Sequence, residues 1–355
     1  MRQTGIAFTI VLAAAATAAA QPPDSYSRVL SRTEVQQQRP NPRVLIQRER
    51  DARDGREEQS KTFKRTVRLG NNGELDITNI TGDITIVRGG GNEATIEVTK
   101  VARAQTVEAA RELLPQVKVE INDRANRTEV RTVYPSQEGM FRGNRRNFNV
   151  SVHFTITAPA GTSVTAHSVT GNLRASDIAG ELSLVTTSGN VQVTRGRNVG
   201  SVKSTSGSIE ITDSDSDSTI EAASISGDVI VRQVKAQRME LGTISGKVSM
   251  QDVQCARLEA QSLSGDVEFS GALVKGGRYE LNSHSGNVRL GVPSGTGFEV
   301  EANTFSGSVE SDLQGLARHE DARGRPRKTL RGVVGDGNAV IEITTFSGNV
   351  WIGKR

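Results

Sequence analysis

The stretch Ser264-Gly265-Asp266-Val267 decides the fold, because it returns 21 residues later as Ser285-Gly286-Asn287-Val288. Its central glycine is one of ten equivalent glycines in the chain, and eight of the ten follow one another at intervals of 18 to 21 residues. A fixed period of this size is typical of stacked repeats, in which each repeat contacts its neighbours. The ten predicted corner glycines are Gly82, Gly171, Gly189, Gly207, Gly227, Gly246, Gly265, Gly286, Gly307 and Gly348.

Apolar and polar residues alternate on both sides of each glycine. The residue two after the glycine is apolar in every copy, as in Val267, and the residue five before it is aliphatic or alanine, as in Leu281. Such alternation is typical of half-buried strands. Glycine followed by Asn or Asp is typical of a tight corner. Each copy therefore predicts two short strands joined by a corner.

A period near 20 residues leaves no room for two strands and a helix, and it is half the length of a propeller blade. It fits one coil of a β-helix whose coils pair in parallel about 4.8 Å apart. We therefore predict an all-β fold, a single-stranded parallel β-helix or solenoid with coils of about 20 residues. Thr106 to Leu114, followed by Pro115, predicts one short helix in an N-terminal capping section.

The start of the chain does not have the composition of a folded domain. Residues 1–20 combine a basic start, an apolar centre and small residues before Gln21, which predicts a signal peptide that is cleaved on export. Residues 21–64 are polar and poor in apolar residues, which predicts a disordered spacer. We expect the mature protein to be periplasmic, secreted or on the cell surface.

Residues 65–355 are predicted to form the β-helix domain. Its capping section covers residues 65–159, and its repeat array covers residues 160–355 with a basic loop at 313–337. No other segment is apolar enough to predict a membrane span. The formal charge of +4 comes from dispersed basic residues without an aromatic–basic platform, which argues against nucleic-acid binding.

The candidate chemical groups do not form a recognisable constellation. Cys255 is the single cysteine, so the chain cannot form an intramolecular disulfide, and we predict that Cys255 lies in the wall of a coil. His284 lies two residues before a corner glycine, in a position that is apolar in most copies, so we interpret it as a tolerated histidine. The four histidines are scattered and form no metal motif; they are His153, His167, His284 and His319.

Two acidic patterns are candidates for a cation site or a catalytic site. Asp213, Asp215 and Asp217 alternate like calcium ligands, but the glycine and glutamate of a helix-flanked calcium loop are absent, so a solvated turn is favoured while cation binding stays open. Glu210 and Glu268 occupy the same phase three coils apart, about 14 Å on the coil spacing, which is no catalytic pair. The sequence therefore predicts no catalytic residue, no cofactor and no metal.

The repeats resemble the putative adhesin family, a bacterial family of β-strand repeats related to domains called toastrack. The resemblance rests on the Ser-Gly-Asp/Asn-Val copies, on the strand and helix around residues 94–121, and on the ending from Gly332 to Val350. It covers roughly residues 65–355. The family implies a single-stranded β-helix and an envelope or surface role, and it offers no catalytic residues to carry over.

Three hypotheses of function follow. The leading one is a non-enzymatic exported module that binds an envelope polymer or protein. The alternative is a structural scaffold that self-associates through its end coils, with Trp351 in an open terminal coil as the candidate interaction residue. The third is an enzyme acting on polysaccharides, which would need clustered acidic and basic residues on adjacent coils.

Overall fold

The computed structural model describes residues 56–135, 149–313, 315–316 and 328–355. The predicted signal peptide, residues 21–55 of the predicted spacer, and residues 314 and 317–327 of the basic loop, with His319 among them, lie outside these residues. Within them the chain forms twenty-five strands, one α-helix and one 3-10 turn. The prediction of an all-β fold with one short helix is confirmed.

The first section contains seven strands and the helix. Its strands are β1 (Glu57–Arg68), β2 (Glu74–Thr81), β3 (Ile84–Arg88), β4 (Glu93–Ala104), β5 (Lys118–Arg124), β6 (Arg127–Val133) and β7 (Val150–Ala158). Helix α1 (Val107–Leu113) begins where the Thr106 hydroxyl accepts a hydrogen bond from the Ala109 amide (3.2 Å), and it passes into the 3-10 turn Leu114–Gln116 at Pro115. These start and stop signals agree with the sequence.

The second section is the repeat array. Its first half comprises β8 (Ser163–Thr170), β9 (Leu173–Ser176), β10 (Glu181–Ser188), β11 (Val191–Thr194), β12 (Asn198–Ser206), β13 (Ile209–Thr212), β14 (Asp215–Ser226), β15 (Val229–Arg232) and β16 (Lys235–Ser245). The second half comprises β17 (Val248–Ser264), β18 (Val267–Gly271), β19 (Arg278–Ser285), β20 (Val288–Val292), β21 (Phe298–Ser306), β22 (Val309–Ser311), β23 (Thr329–Val334), β24 (Val340–Ser347) and β25 (Val350–Lys354).

Equivalent strands of neighbouring repeats pair in parallel and in register. Before the corner glycine, Leu184 pairs with Val202, and after it, Val191 pairs with Ile209. The alternating apolar residues of both strands are buried between the two faces and form one continuous core. Burial of these aliphatic side chains is the main favourable contribution to stability, since each contributes about 1.5–3 kcal/mol.

The sheet is mixed, which differs from the uniformly parallel pairing that the sequence predicted. Four strand pairs are antiparallel, and all of them involve strands at or next to the two ends of the stack: β1–β4, β4–β7, β5–β6 and β21–β23. Antiparallel strands cover three of the four outer edges of the stack, which would otherwise template pairing with other chains. At the fourth edge, β22 pairs only with β25 in the part of the chain that the structure describes.

The order of the coils differs from the order of the sequence. Strands β2 and β3, which flank Gly82, pair directly with β8 and β9, so the isolated upstream copy belongs to the array. Strands β24 and β25 lie between β19–β20 and β21–β22. The prediction that Trp351 lies in a terminal coil is therefore wrong. After β22 the chain first forms β23, which pairs with the outer side of β21. It then forms β24 and β25 in the position between β19–β20 and β21–β22.

The ordered domain begins earlier than the sequence suggests. Residues 57–64 were assigned to the spacer, but they form the first part of β1, which pairs with β4 from Glu57–Ala104 to Arg68–Glu93. This strand is mostly exposed, with Val67 buried and Phe63 half-buried. Such a polar edge strand lacks the apolar alternation that reveals a strand in sequence. In the part the structure describes, no helix has both the length and the apolar character needed to cross a membrane.

Candidate functional site

The corner glycines bring the backbones of successive coils into direct contact. A Cβ atom built on Gly246 would lie 2.3 Å from the carbonyl oxygen of Gly227, and one on Gly265 would lie 1.9 Å from that of Gly246. Real Cβ atoms do not approach this closely, so only glycine fits. Equivalent contacts join nine successive pairs in the stack, from Gly82–Gly171 to Gly348–Gly307. The corner therefore holds the coils together and offers no side chain for chemistry.

The residue after each glycine forms a second ladder. The Asn190 amide donates to Asn172 Oδ1 (3.0 Å), and the Ser208 amide donates to Asn190 Oδ1 (2.9 Å). Lys247 interrupts the ladder, because its side chain accepts no hydrogen bond and instead pairs with Glu268. Asn, Asp and Ser are preferred at this position because their side-chain oxygens accept a hydrogen bond from the backbone amide of the equivalent residue in the next coil.

A third ladder, which the sequence analysis missed, lies three residues before the glycine. Here a buried serine or threonine donates to the corner carbonyl of the preceding coil, as Ser204 Oγ does to Gly189 O (2.9 Å). The column was missed because a hydroxyl residue inside a strand resembles an ordinary polar position. Its eight donors are Thr186, Ser204, Ser224, Thr243, Ser262, Ser283, Thr345 and Thr304.

We expect Ser204→Ala to lower the free energy of unfolding by about 1–2 kcal/mol, because the Gly189 carbonyl loses its side-chain donor. Ser168 is the matched control: it occupies the same column and is buried, but its hydroxyl has no partner in the described structure. We expect Ser168→Ala to be neutral or slightly stabilising. Urea unfolding of both variants measures the difference, and equal losses of stability would contradict this role of the hydroxyl ladder.

Two residues before the glycine, the side chains point outwards although most are apolar. Two members of this column are Thr187 and Thr205. We call its other eight members the apolar row; in stacking order they are Ile80, Val169, Ile225, Ile244, Leu263, His284, Phe346 and Phe305. Its large hydrophobic members are between 40% and 66% exposed. From Ile225 to Phe305 the row runs without interruption over six consecutive coils. Contiguous exposed apolar surface of this kind marks an interaction site.

A groove of about 1130 Å³ runs along the apolar row. The apolar row forms one wall, the buried hydroxyl column forms the base, and residues four before the glycine form the other wall. The second wall is small at Ala223 and Gly242 and carries amides at Gln261, Asn282 and Asn303. Lys203, near one end, is the only lysine, arginine or carboxylate residue among the lining residues that the structure describes.

The opposite end of the groove is aromatic. His284 stacks on Phe346 with ring centroids 4.9 Å apart, and Phe346 stacks on Phe305 at 4.8 Å, with interplanar angles of 6° and 7°. Lys328 Nζ lies 5.6 Å from the Phe305 centroid and donates to the Phe305 carbonyl (2.8 Å). The rings therefore stack face to face on one another. His284 lies where the sequence placed it, in a normally apolar column.

A row of glutamates lies beside the groove, six residues before the glycine. Its members face one another in register across successive coils: Glu221, Glu240, Glu259, Glu280, Glu342 and Glu301. Cations offset part of this repulsion, since Glu221 pairs with Lys203 (2.7 Å) and Glu240 with Arg238 (2.7 Å). The Arg331 guanidinium, hydrogen-bonded to Glu301, lowers the pKa of that carboxyl.

The remaining sequence candidates lie away from the groove. Cys255 is buried, and burial raises the pKa of its thiol to about 12, which makes it a poor nucleophile. Its carbonyl accepts from the Tyr279 hydroxyl (2.8 Å). Trp351 is exposed between Arg289 and Glu310 on the strand after the glycine. His153 Nδ1 accepts from the Asp83 amide (3.2 Å).

Asp213 belongs to a second corner that carries no glycine. Five residues six positions after the glycine have left-handed backbone angles, with φ between 52° and 62°: Asp177, Arg195, Asp213, Gln233 and Asp252. Asp and Asn tolerate this region better than most residues do, which accounts for the acidic residues here. In the described residues, no group of three or more His, Cys, Asp or Glu side chains is arranged to hold a metal, the Asp213–Asp217 segment included.

Comparison with known proteins gives a family match. The model of the family described as Toastrack DUF4097 matches residues 72–353. No curated protein matches the sequence significantly.

Three solved structures are among those that match the chain. A putative lipid binding protein from Parabacteroides distasonis is 13% identical, with coverage of 82% of this chain and 96% of its own and a TM-score of 0.45. A putative adhesin from the same organism is 13% identical, with 82% and 97% coverage and a TM-score of 0.44. A putative adhesin from Bacteroides fragilis is 13% identical, with 83% and 97% coverage and a TM-score of 0.39.

Proposed function

The chain belongs to the Toastrack DUF4097 family, and from this premise we propose that it is a non-enzymatic, exported binding module whose ligand lies in the groove. In this proposal residues 1–20 direct export, and the array acts as a rigid β-helix that presents the groove to a component of the cell envelope. The observation that carries the proposal is the apolar row, whose six consecutive outward side chains from Ile225 to Phe305 cover no other part of the described protein.

The stacking of coils does not require this row to be apolar. The same column holds Thr187 and Thr205 in two neighbouring coils, and both coils pair in the same register as the rest. Exposed isoleucine, leucine and phenylalanine add nothing to a core that they do not enter. Their concentration along one groove is therefore explained better by a ligand than by stability.

The groove is poorly equipped for catalysis. The hydroxyls at its base donate to corner carbonyls, so they are already engaged. The groove lacks the clustered acidic and basic side chains that a polysaccharide-cleaving site needs, since Lys203 is the only such charge in its lining. Self-association through end coils loses its original support, because Trp351 lies in an internal coil.

The test compares retention of cell-envelope extract on immobilised full-length protein and two variants. Leu263→Glu places a charge in the middle of the groove, whereas Val169→Glu makes the same change in the same column outside its lining. We expect the wild type and Val169→Glu to retain the same component, and Leu263→Glu to lose at least about 90% of it, since a buried unpaired charge is strongly unfavourable. Equal retention by all three proteins, or retention by none, would refute the proposal.

A further inference from the structure

We infer that the groove binds one single-chain anionic amphiphile, with its alkyl chain along the apolar row and its anionic head at Lys203. This inference deepens the proposed function and rests on it. It commits to a monomeric amphiphile, such as a long-chain fatty acid, rather than to a membrane surface.

The distribution of charge along the groove favours this ligand. Lys203 stands at one end, on the coil next to that of Ile225, and its ammonium lies 2.7 Å from Glu221 Oε1. Beyond it, the lining from Ala223 to Phe305 that the structure describes contains only uncharged groups and His284; Lys328, which is not part of this lining, lies over the Phe305 ring. A ligand that fits has one anionic end, which shares the ammonium with Glu221, and an uncharged body.

The length of the apolar row suits one long alkyl chain. Five coil intervals separate Ile225 from Phe305, which is about 24 Å at about 4.8 Å per coil. One leaflet of acyl chains spans about 15 Å, half of a hydrocarbon core of about 30 Å. A whole acyl chain therefore fits lengthwise, and the 1130 Å³ groove is ample for it.

The aromatic end favours an alkyl chain over a sugar polymer. A sugar ring packs against the face of an aromatic ring, but the faces between His284, Phe346 and Phe305 are occupied by each other. The stack offers mainly ring edges to the groove, which form a smooth apolar surface. An alkyl chain can lie along such edges because its contacts are non-directional.

The glutamate row favours a monomeric ligand over a lipid surface. Six carboxylates line the same outward face, and Glu280 and Glu342 have no basic partner within 4.0 Å in the described structure. An anionic bilayer would be repelled where it meets the uncompensated charges of Glu280 and Glu342. A single amphiphile brings its one charge to Lys203 instead.

The test is isothermal titration calorimetry of the full-length protein with palmitate, below its micellar concentration. We expect binding by the wild type and by Val169→Glu, and at least a tenfold weaker affinity for Leu263→Glu. Lys203→Met should weaken palmitate binding about fivefold, which is the effect of losing a charge-assisted contact at a half-exposed site. Hexadecyltrimethylammonium, which has the same chain and a cationic head, should bind more weakly than palmitate to the wild type, but not to Lys203→Met.

A chain-length series gives an independent readout. From octanoate to palmitate the affinity should rise about twofold per methylene, less than the roughly fourfold of a fully buried methylene, because the groove is open. Absence of palmitate binding, or equal binding by the wild type and Leu263→Glu, would overturn the inference. So would binding to phosphatidylglycerol vesicles at an affinity that Leu263→Glu lowers while palmitate does not bind.

The two proposals fail in different ways. If Leu263→Glu abolishes retention of envelope extract but palmitate does not bind, the groove is a binding site for another ligand and only the amphiphile is refuted. If neither extract nor palmitate binds, both proposals are refuted. Thermal unfolding of Leu263→Glu and Val169→Glu shows whether each variant is folded; since both positions are exposed, we expect both variants to unfold cooperatively and close to the melting temperature of the wild type.

Discussion

Gly246→Ala is expected to lower the free energy of unfolding by about 3–5 kcal/mol, the range of severe overpacking against a rigid neighbour. The new Cβ would lie 2.3 Å from Gly227 O, 2.7 Å from Gly227 C and 3.2 Å from Asp228 N. All three atoms are backbone, so no side chain can rotate away. Gly227 is itself packed against the Gly207 backbone in the same way, since a Cβ atom built on Gly227 would lie 2.3 Å from Gly207 O, and this packing prevents it from yielding.

Gly242→Ala is the matched control in the same coil. A Cβ at Gly242 would meet only the Gln261 side chain, with Cγ at 3.6 Å and Nε2 at 3.9 Å, and both are ordinary contacts. Glycine inside a strand is unfavourable, so we expect this substitution to be neutral or to stabilise the protein by about 0.5 kcal/mol. Guanidinium unfolding of both variants measures the effect. A difference below 1 kcal/mol between them would mean that the stack accommodates the Cβ, and that the corner does not require glycine.

Asn79→Ala is expected to cost about 3–4 kcal/mol, because it leaves several buried polar groups without partners at about 1–3 kcal/mol each. Asn79 is 1% exposed. Its Nδ2 donates to Gly82 O and Val152 O (2.9 Å each), and its Oδ1 accepts from Thr132 Oγ1 (3.0 Å) and from the Ile80 amide (3.0 Å). The amide thereby joins the first coil of the array to β6 and β7 of the capping section.

Asn79 occupies the column that holds serine or threonine in the coils of the array. A hydroxyl reaches one carbonyl, whereas the amide reaches two, which suits a position at the boundary between the array and its cap. Asn303→Ala is the control, because that amide makes a single side-chain hydrogen bond, to Glu301 (3.3 Å), at a half-buried site. We expect it to cost less than about 0.5 kcal/mol. If the two asparagines gave similar losses in urea unfolding, the junction would have to be held by other contacts.

The fold was predictable because its information is local and repeated. Ser-Gly-Asp/Asn copies in one phase predict corners, and the apolar residues two and five positions away predict strands on either side of them. The boundary near residue 57 was not predictable, since β1 is a polar edge strand that pairs along its whole length with β4. The coil order was not predictable either, because nothing local distinguishes Gly348 from a last coil.

The outward direction of the apolar row could have been predicted from the alternation of side chains along a strand. Residues five and two before the glycine differ by three positions, so on one strand they face opposite sides. Leu241 is buried, and therefore Ile244 had to point outwards. The apolar column is visible in the sequence, but there it explained only why His284 is an exception at a position that is apolar in most copies. The concavity between the column and Gly242 depends on how coils curve together, which no single repeat encodes.

The interior position of β24 and β25 has a consequence for the making of this protein. Coils that follow the chain order can add one by one to a growing stack as the polypeptide emerges. Strands β21 and β22 cannot join the stack in this way, because the place next to β19 and β20 belongs to residues 340–352. The coil of β24–β25 and the coil of β21–β22 therefore have to assemble at the same time rather than one after the other. A chain interrupted before residue 340 would therefore leave β21 and β22 without the strands that join them to the array.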